Sequence, residues 1–272
     1  MKPAVALRIE IPGYRGCTAL PALVERLQQH QASASFLFGL GPDVWGRSPS
    51  RHCRALLAEV HAAGFDLGIL GWQPGKWIRR AATAPVAWID AQFVQTRKAF
   101  EQVFGHAPTL TAAPGWQGHP HALRLTQRLG FSCASDCRGR HPFIPVWNGE
   151  IVRCPQIPVT LPTFEELAAA SKLDSAAAAE ALLKLTETPA DTGHVFSFQA
   201  SRASSNALDG LNRVLAGWRN QGYRIVSLQT LATAWTIDQL PRHEIVISPA
   251  PGSRRPMLTQ GNEFLVEWSN PQ

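Results

Sequence analysis

The pattern of apolar and polar positions along the chain alternates between two periods, which predicts a repeated succession of strands and helices. The first apolar run, Val5 to Ile11, is closed by Pro12 and Gly13 and predicts a buried first strand. Later apolar runs predict strands over residues 34–39, 65–70, 109–112, 131–135, 150–155, 194–199 and 223–226. Apolar residues at helical spacing predict helices over residues 18–30, 50–64, 86–104, 119–129, 174–186 and 208–221. Repeated strand and helix units of this kind favour an α/β fold with parallel strands, as a barrel or an open sheet.

Three segments fall outside this succession. Residues 71–85, rich in tryptophan and arginine, predict a loop after the third strand, and Thr163 is predicted to cap a short helix. Beyond residue 240, residues 244–248 and 263–268 predict two strands joined by a loop rich in proline, glycine and arginine. We therefore expect a barrel domain over residues 1–240 and a hairpin-like extension over residues 241–272 that packs on the barrel or on a partner chain.

Composition narrows the class of protein. The 272 residues are 45% hydrophobic and 17% charged, which is typical of a globular protein, and the net charge of +6 comes from scattered basic residues. This charge favours an anionic partner, such as a phosphorylated substrate or a membrane surface, while the absence of a basic stripe argues against nucleic acid. The start of the chain does not read as a signal peptide, so we expect a cytoplasmic protein, at the inner face of the inner membrane if it contacts lipid. The five cysteines are accordingly interpreted as reduced, buried residues.

Several long segments carry a resemblance to a known family. They are Arg8-Ile-Glu-Ile-Pro-Gly-Tyr-Arg-Gly16, Ala112-Ala-Pro-Gly-Trp116, Ser135-Asp-Cys-Arg-Gly139 and Gln156-Ile-Pro-Val-Thr-Leu-Pro-Thr163. Over residues 4–235 the chain resembles the polysaccharide deacetylase (NodB-homology) family, and within it the deformylases that act on a formamido sugar carried by undecaprenyl phosphate. The resemblance implies a distorted (β/α) barrel with its site at the carboxyl ends of the strands.

The chemistry implied by the resemblance is metal-assisted amide hydrolysis. One aspartate and two histidines hold a divalent cation, a second aspartate is the general base, an arginine orients that base, and another histidine is the general acid. Every matching position has changed in this chain. The base position holds Glu10, the three metal positions hold Pro12, Leu70 and Pro74, and the arginine and acid positions hold Gln117 and Gln199.

Proline and leucine side chains have no lone pair with which to ligate a cation. We therefore predict no metal or other cofactor and a catalytically inactive member of the family. Such a pseudoenzyme would bind a lipid-linked amino sugar or a partner enzyme of lipid A or cell-envelope glycan modification. Two alternatives remain open. One is a hydrolase that removes a formyl or acetyl group through a metal-independent site using Glu10, and the other is a scaffold subunit that pairs with an active deacetylase homologue. His119-Pro-His121 is interpreted as the start of a helix rather than a metal site.

The retained segments are those that line the sugar and phosphate side of the groove in the family. The predicted ligand-binding residues are Tyr14, Arg15, Trp116, Gln117, Asp136, Arg138, Gln156, Thr160 and Gln199. The expected ligand is a lipid-linked amino sugar or its phosphate, with Arg15 and Arg138 facing the phosphate because a guanidinium matches its oxygens. Two residues also have a purely structural interpretation. Arg138 would form an internal salt bridge instead of contacting the ligand, and Glu166 would form a capping box with Thr163 instead of contacting the sugar.

A surface contact with a membrane is also predicted from the segment after the third strand. Trp72, Trp77, Arg79 and Arg80 combine aromatic and basic side chains, a composition that suits contact with an anionic leaflet. In the alternative interpretation the tryptophans cover the end of the barrel and the arginines remain in solvent.

Overall fold

A computed structural model of the chain describes residues 3–249 and 256–264, with the side chain of Ser171 left out. The described strands are β1 (Ala4–Ile11), β2 (Ser35–Phe38), β3 (Asp66–Ile69), β4 (Leu110–Thr111), β5 (Cys133–Ala134), β6 (Ile144–Trp147), β7 (Glu150–Ile151), β8 (His194–Gln199), β9 (Arg224–Val226), β10 (Arg242–Pro249) and β11 (Pro256–Glu263). The helices are α1 (Tyr14–Cys17), α2 (Leu20–Gln29), α3 (Pro49–His52), α4 (Arg54–Ala62), α5 (Pro74–Arg80), α6 (Val86–Phe104), α7 (Pro120–Arg128), α8 (Phe164–Ser171), α9 (Ser175–Leu185), α10 (Ser205–Asn220) and α11 (Leu228–Ala232).

Seven parallel strands form one curled, half-barrel sheet. The order is β5-β4-β3-β2-β1-β8, and β9 also pairs with β1. Helices between successive strands cover the outer face, so the predicted α/β fold with parallel strands is confirmed. Parallel pairing brings the carboxyl ends of β1, β2, β3 and β8 to a single rim, with Glu10 in register with Leu37 on one side and Gln199 on the other.

The first strand lies at the centre of the sheet, and all eight of its residues are buried. Its odd-numbered residues, such as Leu7 and Ile9, belong to the large apolar cluster under the helices. Ala4 and Ala6 belong to a second cluster with Leu37, Leu70 and Leu110, on the inner face of the sheet. Because side chains alternate along a strand, Arg8 and Glu10 continue this inner row. The strand thus brings two charged residues into the interior at the end nearest the rim.

One predicted loop is a helix. Residues 71–85 contain α5, followed by a short 3-10 turn over Ala81–Thr83. Pro74 stands in the first turn, where proline is tolerated, and Pro74, Trp77 and Ala81 are buried at helical spacing. The loop prediction is therefore wrong, because it gave more weight to proline and glycine than to this spacing. Thr18 also does not cap the following helix, since its hydroxyl donates to the carbonyl oxygen of Arg15.

The end of the described chain forms a hairpin of β10 and β11. The first predicted strand is confirmed, but the second begins at residue 256 and not 263, and residues 265–268 lie outside the described part. β10 also pairs in parallel with β6, which the sequence did not predict, and β6 pairs with β7. Leu258 packs so closely on Gly118 that a Cβ on this glycine would lie 2.2 Å from Leu258 Cδ1. The hairpin is thus packed on the barrel-like part of the chain.

Candidate functional site

The three positions that the sequence resemblance predicts to match metal ligands, Pro12, Leu70 and Pro74, are occupied by apolar side chains. Pro74 packs on the backbone of Gly39, where a Cβ would lie 2.4 Å from Pro74 Cγ and 3.5 Å from the Pro12 carbonyl carbon. Leu70 is 1% exposed and belongs to the inner apolar cluster. No group of three His, Cys, Asp or Glu side chains with metal-binding geometry occurs within residues 3–249 and 256–264. A hard or borderline cation needs oxygen, nitrogen or thiolate ligands, so the family's metal does not fit these residues.

Glu10, which the sequence resemblance predicts to occupy the base position, is held in a buried ion pair. Its carboxylate accepts a hydrogen bond from the guanidinium of Arg8, which is completely buried. Arg8 also donates to the carbonyl oxygen of Ser135 and, at 3.1 Å, to the Ser135 hydroxyl. These contacts compensate the two charges inside the protein, where an unpaired charge is costly. They also tie the end of β1 to the segment after β5.

Trp116 lies between two arginines at the rim. Its ring centroid is 5.8 Å from the guanidinium carbon of Arg8 and 5.1 Å from that of Arg138. Its backbone has a φ of 54°, and its buried Nε1 has no hydrogen-bond partner among the described residues. A strained backbone and an unsatisfied buried donor each cost free energy, and such costs concentrate at functional sites.

The two structural alternatives at Arg138 and Thr163 are the ones observed. Arg138 Nη2 lies 3.2 Å from Glu166 Oε2, and Arg138 Nη1 donates to the Leu161 carbonyl oxygen at 2.8 Å. The Glu166 main-chain N–H donates to the Thr163 hydroxyl, and the Thr163 N–H donates to the Glu166 carboxylate, which completes the capping box of α8. The guanidinium that was predicted to meet a phosphate is thus already paired with a carboxylate.

Three other predicted ligand contacts are engaged inside the protein. Gln156 is fully buried, donates to Asp136 Oδ2 at 3.0 Å and accepts from the Asp136 N–H at 2.9 Å. Burial raises the pKa of Asp136 to about 6, against the opposing effects of the Gln156 hydrogen bond and the Arg8 charge. The Thr160 hydroxyl accepts from the Val195 N–H at 2.8 Å and so joins this segment to β8. Asp136, Gln156 and Thr160, which are predicted to contact a sugar, thus have protein partners for these polar groups in the structure.

Gln117 also has a structural role. Its side-chain amide donates to the Pro256 carbonyl oxygen at 2.6 Å, and its own carbonyl oxygen accepts from Trp77 Nε1 at 2.5 Å. Gln117 therefore connects α5 to β11. Nearby, the His119 side chain accepts from the His121 N–H at 3.0 Å and caps α7, which confirms the interpretation of the histidine pair as a helix start.

Three pockets open along the rim. The inner pocket, of about 220 Å³, is lined by Glu10, Trp116, Glu165, Ser197, Gln199 and Arg202 among others. The first rim pocket, of about 380 Å³, lies between Tyr14, Arg15, Asp43, Trp45 and Arg202. The second rim pocket, of about 490 Å³, lies between Asp43, Val44, Lys76 and Arg79. Of the predicted ligand residues, the structure brings Tyr14, Arg15, Trp116 and Gln199 to these pockets.

Sequence reasoning missed several residues that line the pockets. Arg202 follows the last residue of β8 by three positions, and its Nε donates to Gln199 Oε1 at 2.8 Å. Ser197 faces the same pocket from within the strand. Ser197 and Gln199 are two apart, the spacing that places strand residues on one face, so the alternation within β8 was the signal that identifies Ser197.

The predicted membrane segment is largely packed into the protein. Trp77 is 3% exposed, with its ring centroid 5.9 Å from that of Trp88 and 6.1 Å from that of Phe93. The prediction that Trp77 contacts a membrane is therefore wrong, and the alternative in which it covers the barrel end is the one observed. Arg79 and Arg80 are exposed, and Trp72 is partly buried against the core. Among the described residues there is no helix with the length and apolar character needed to cross a bilayer.

The five cysteines are all free and buried, as predicted. Burial raises the pKa of Cys133 to about 12 and raises that of Cys137 well above its ordinary value. Since the thiolate is the reactive form, these groups are unsuited to nucleophilic chemistry at neutral pH.

Comparison with solved structures places the fold among the polysaccharide deacetylases. A protein from Mycobacterium smegmatis assigned to that class matches 92% of this chain and 95% of its own, with a TM-score of 0.69 and 16% identity. A CE4 family pseudoenzyme from Bacillus anthracis matches 85% of this chain and 66% of its own, with a TM-score of 0.58 and 13% identity. These similarities establish the fold, and the predicted (β/α) barrel of the deacetylase type is confirmed.

Curated relatives narrow the resemblance further. Over 208 residues the chain is 29% identical to a probable 4-deoxy-4-formamido-L-arabinose-phosphoundecaprenol deformylase, ArnD, of Shewanella sediminis, which covers 62% of this chain and 67% of the relative. Over 185 residues it is 39% identical to the corresponding protein of Wigglesworthia glossinidia brevipalpis, which covers 54% of this chain and 65% of the relative. The chain thus spans about two thirds of these relatives. No family model matches the chain. The resemblance to ArnD-like deformylases with the polysaccharide deacetylase fold is confirmed.

Proposed function

We propose that the chain is a deacetylase-fold pseudoenzyme that binds a lipid-linked amino sugar without hydrolysing it. The observation that carries this proposal is the packing of Pro74 on Gly39 beside Pro12, with Leu70 buried in the inner cluster. These residues supply none of the lone pairs that hold the family's cation, and they fill the space with carbon. A carboxylate at position 10 has no metal-bound water to activate, and Gln199 has no proton of useful acidity to give a leaving amine.

The inner pocket supports a sugar-sized ligand. Carboxylate, hydroxyl and amide groups of Glu10, Ser197 and Gln199 lie there beside the indole ring of Trp116. A pocket that combines one flat apolar surface with a few polar groups is typical of small-molecule sites. The ArnD relatives are named for a formamido-arabinose carried on undecaprenyl phosphate, so an amino sugar of that class is the ligand we propose.

The basic lining of the two rim pockets suits the phosphate of the same ligand. Arg15 and Arg202 line the first rim pocket, and Lys76 and Arg79 line the second. Arg15, Lys76 and Arg79 have no carboxylate within 4.0 Å among the residues that the structure describes. Guanidinium and ammonium groups are the usual partners of phosphate, and Arg202 lies at the border between the inner and first rim pockets.

Calorimetric titration with a short-chain prenyl-phosphate-linked 4-amino-4-deoxy-L-arabinose, with and without its formyl group, tests this function. We expect saturable binding that Trp116→Ala, Gln199→Ala and Arg202→Ala each weaken by roughly tenfold or more, because all three side chains line the inner pocket. Gln229→Ala is the matched control for Gln199→Ala, because Gln229 bonds to Thr109 and Ser132, away from the pockets. Absence of binding, or equal loss in the control, would overturn the proposal.

The same preparation distinguishes the active-enzyme alternative. We expect no formate release from the formylated ligand over long incubation. Formate release in proportion to protein, and abolished by Glu10→Gln, would instead assign the chain to metal-independent hydrolysis. Co-purification with an active deacetylase homologue, together with failure to bind the sugar, would favour the scaffold alternative.

A further inference from the structure

The loop between β2 and α3 presents two apolar side chains to solvent at the rim. Val44 is 85% exposed and Trp45 is 70% exposed, which makes them the two most exposed large hydrophobic residues in the described part of the chain. Single exposed apolar residues are common on protein surfaces. Two adjacent residues at a loop tip, one of them tryptophan, form a contiguous apolar tip that is mostly in solvent.

The loop is ordered by its own hydrogen bonds, so the exposed position of Trp45 is a fixed feature. Asp43 Oδ1 accepts from the N–H groups of Trp45 and Arg47 at 2.9 Å each, and Asp43 N donates to the Arg47 carbonyl oxygen at 2.8 Å. Gly46 has a φ of 77°, a conformation that glycine adopts easily and that closes the turn. The Arg47 guanidinium bonds to Asp43 Oδ2 at 3.0 Å.

Arg47 also sets the orientation of the indole. Its guanidinium carbon lies 4.9 Å from the Trp45 ring centroid and 4.7 Å from that of Tyr14. The cation therefore lies between the two rings and joins the loop to α1. A loop braced in this way holds its apolar tip outward at little further cost in conformational entropy.

Basic side chains surround this apolar tip. Arg15 and Arg202 line the pocket on the Trp45 side of the loop, and Lys76 and Arg79 line the pocket on the Val44 side. The one carboxylate of the loop, Asp43, is already bonded to Arg47. An apolar tip with tryptophan and basic residues on two sides is complementary to a bilayer surface that contains anionic lipid.

We propose that the loop of residues 43–47 docks the protein on an anionic membrane surface, with Val44 and Trp45 inserted among the lipid headgroups and Arg15, Lys76, Arg79 and Arg202 facing the lipid phosphates. The two rim pockets adjoin this loop, so docking places their mouths against the headgroup layer. The contact concerns the lipid surface itself and does not depend on recognition of a sugar.

Flotation of the full chain with vesicles free of glycolipid tests the proposal. We expect binding to phosphatidylcholine vesicles that contain about one third phosphatidylglycerol, and much weaker binding to phosphatidylcholine alone. Val44→Ser with Trp45→Ser should lower the partition coefficient by roughly tenfold or more, and Lys76→Glu by roughly fivefold. Val94→Ser, at a site 65% exposed on α6, and Arg213→Glu on α10 are the matched controls and should leave partitioning unchanged.

Three results would overturn the proposal. The first is no binding of the wild-type chain to anionic vesicles, and the second is binding that the Val44→Ser/Trp45→Ser variant retains in full. The third is concentration-dependent dimerisation lost in that variant without vesicle binding, which would assign the tip to a second copy of the chain. Because the vesicles carry no sugar, failure here leaves the sugar-binding test unaffected, and the reverse also holds.

Discussion

At the scale of single residues, the interior of the rim is organised by Arg8, whose side chain bonds to both Glu10 and Ser135. The alternation of Ala4, Ala6, Arg8 and Glu10 along β1 was sufficient to place Arg8 beside Glu10 on the inner face. Strand alternation could not predict that Arg8 also bonds to Ser135, because the two residues are 127 positions apart in the sequence. The hydrogen bonds between Asp136 and Gln156 join positions 20 residues apart on different segments, so strand alternation could not predict them either.

The Arg8–Glu10 pair leads to a prediction about stability. Arg8→Met leaves the Glu10 carboxylate buried without its cation, so we expect the free energy of unfolding to fall by about 3–5 kcal/mol. Adding Glu10→Gln removes the uncompensated charge and should restore a large part of the loss. Urea unfolding of the two single variants and the double variant gives the coupling energy. A loss below about 1 kcal/mol for Arg8→Met would contradict a buried, mutually dependent pair.

The raised pKa of Asp136 should make the stability of the fold depend on pH. Its pKa is about 6 in the folded protein against an ordinary 3.8, so the folded state favours the protonated carboxyl. The associated stability is fully present below pH 3.8 and is lost as the pH rises through 6. The free energy of unfolding lost over this pH interval is about 3 kcal/mol, since each pKa unit corresponds to about 1.4 kcal/mol. The stability of wild type minus that of Asp136→Asn should therefore fall across this interval and level off above it. A difference that stays constant with pH would show that Asp136 ionises normally.

At the scale of elements, boundaries were predictable where periodicity and a terminal signal agree. α6 was predicted over residues 86–104 and has those bounds, because apolar residues recur along it and Gly105, with a φ of 79°, ends it. α5 was missed because Pro74 and Gly75 resemble a turn, whereas the packing of Pro74 and Trp77 stabilises a helix. β6 was missed because its pairing partner, β10, lies about a hundred residues further along the chain.

The contact between the end of β2 and the start of α5 can be tested by adding one methyl group. Gly39→Ala places a Cβ 2.4 Å from Pro74 Cγ, so we expect a destabilisation of about 1–3 kcal/mol. Pro74→Ala removes the ring atoms and should relieve much of that cost in the double variant. Gly75→Ala is the control, since its nearest neighbour, Arg79 Nη1, lies 3.7 Å from the added carbon. Thermal unfolding that treats Gly39→Ala and Gly75→Ala alike would refute close packing of Pro74 on Gly39.

At the scale of the whole molecule, the rim changes in character from its centre outward. The inner pocket holds Glu10, Ser197 and Gln199, the rim pockets hold basic residues, and the loop beyond them is apolar at Val44 and Trp45. A ligand made of sugar, phosphate and lipid has the same order of polarity. The family resemblance predicted the fold, but this order of polarity depends on loops whose arrangement no local sequence pattern encodes.

The central claim is that the strand ends no longer form a metal site, and the most direct test is the metal content of the chain itself. Tag-free protein purified without chelator is equilibrated with Zn²⁺ or Co²⁺, and bound metal is measured after removal of the free ion. We predict far less than one equivalent per chain, because Pro12, Leu70 and Pro74 offer no ligand atoms. One tightly bound equivalent that is lost in Glu10→Ala would contradict the account.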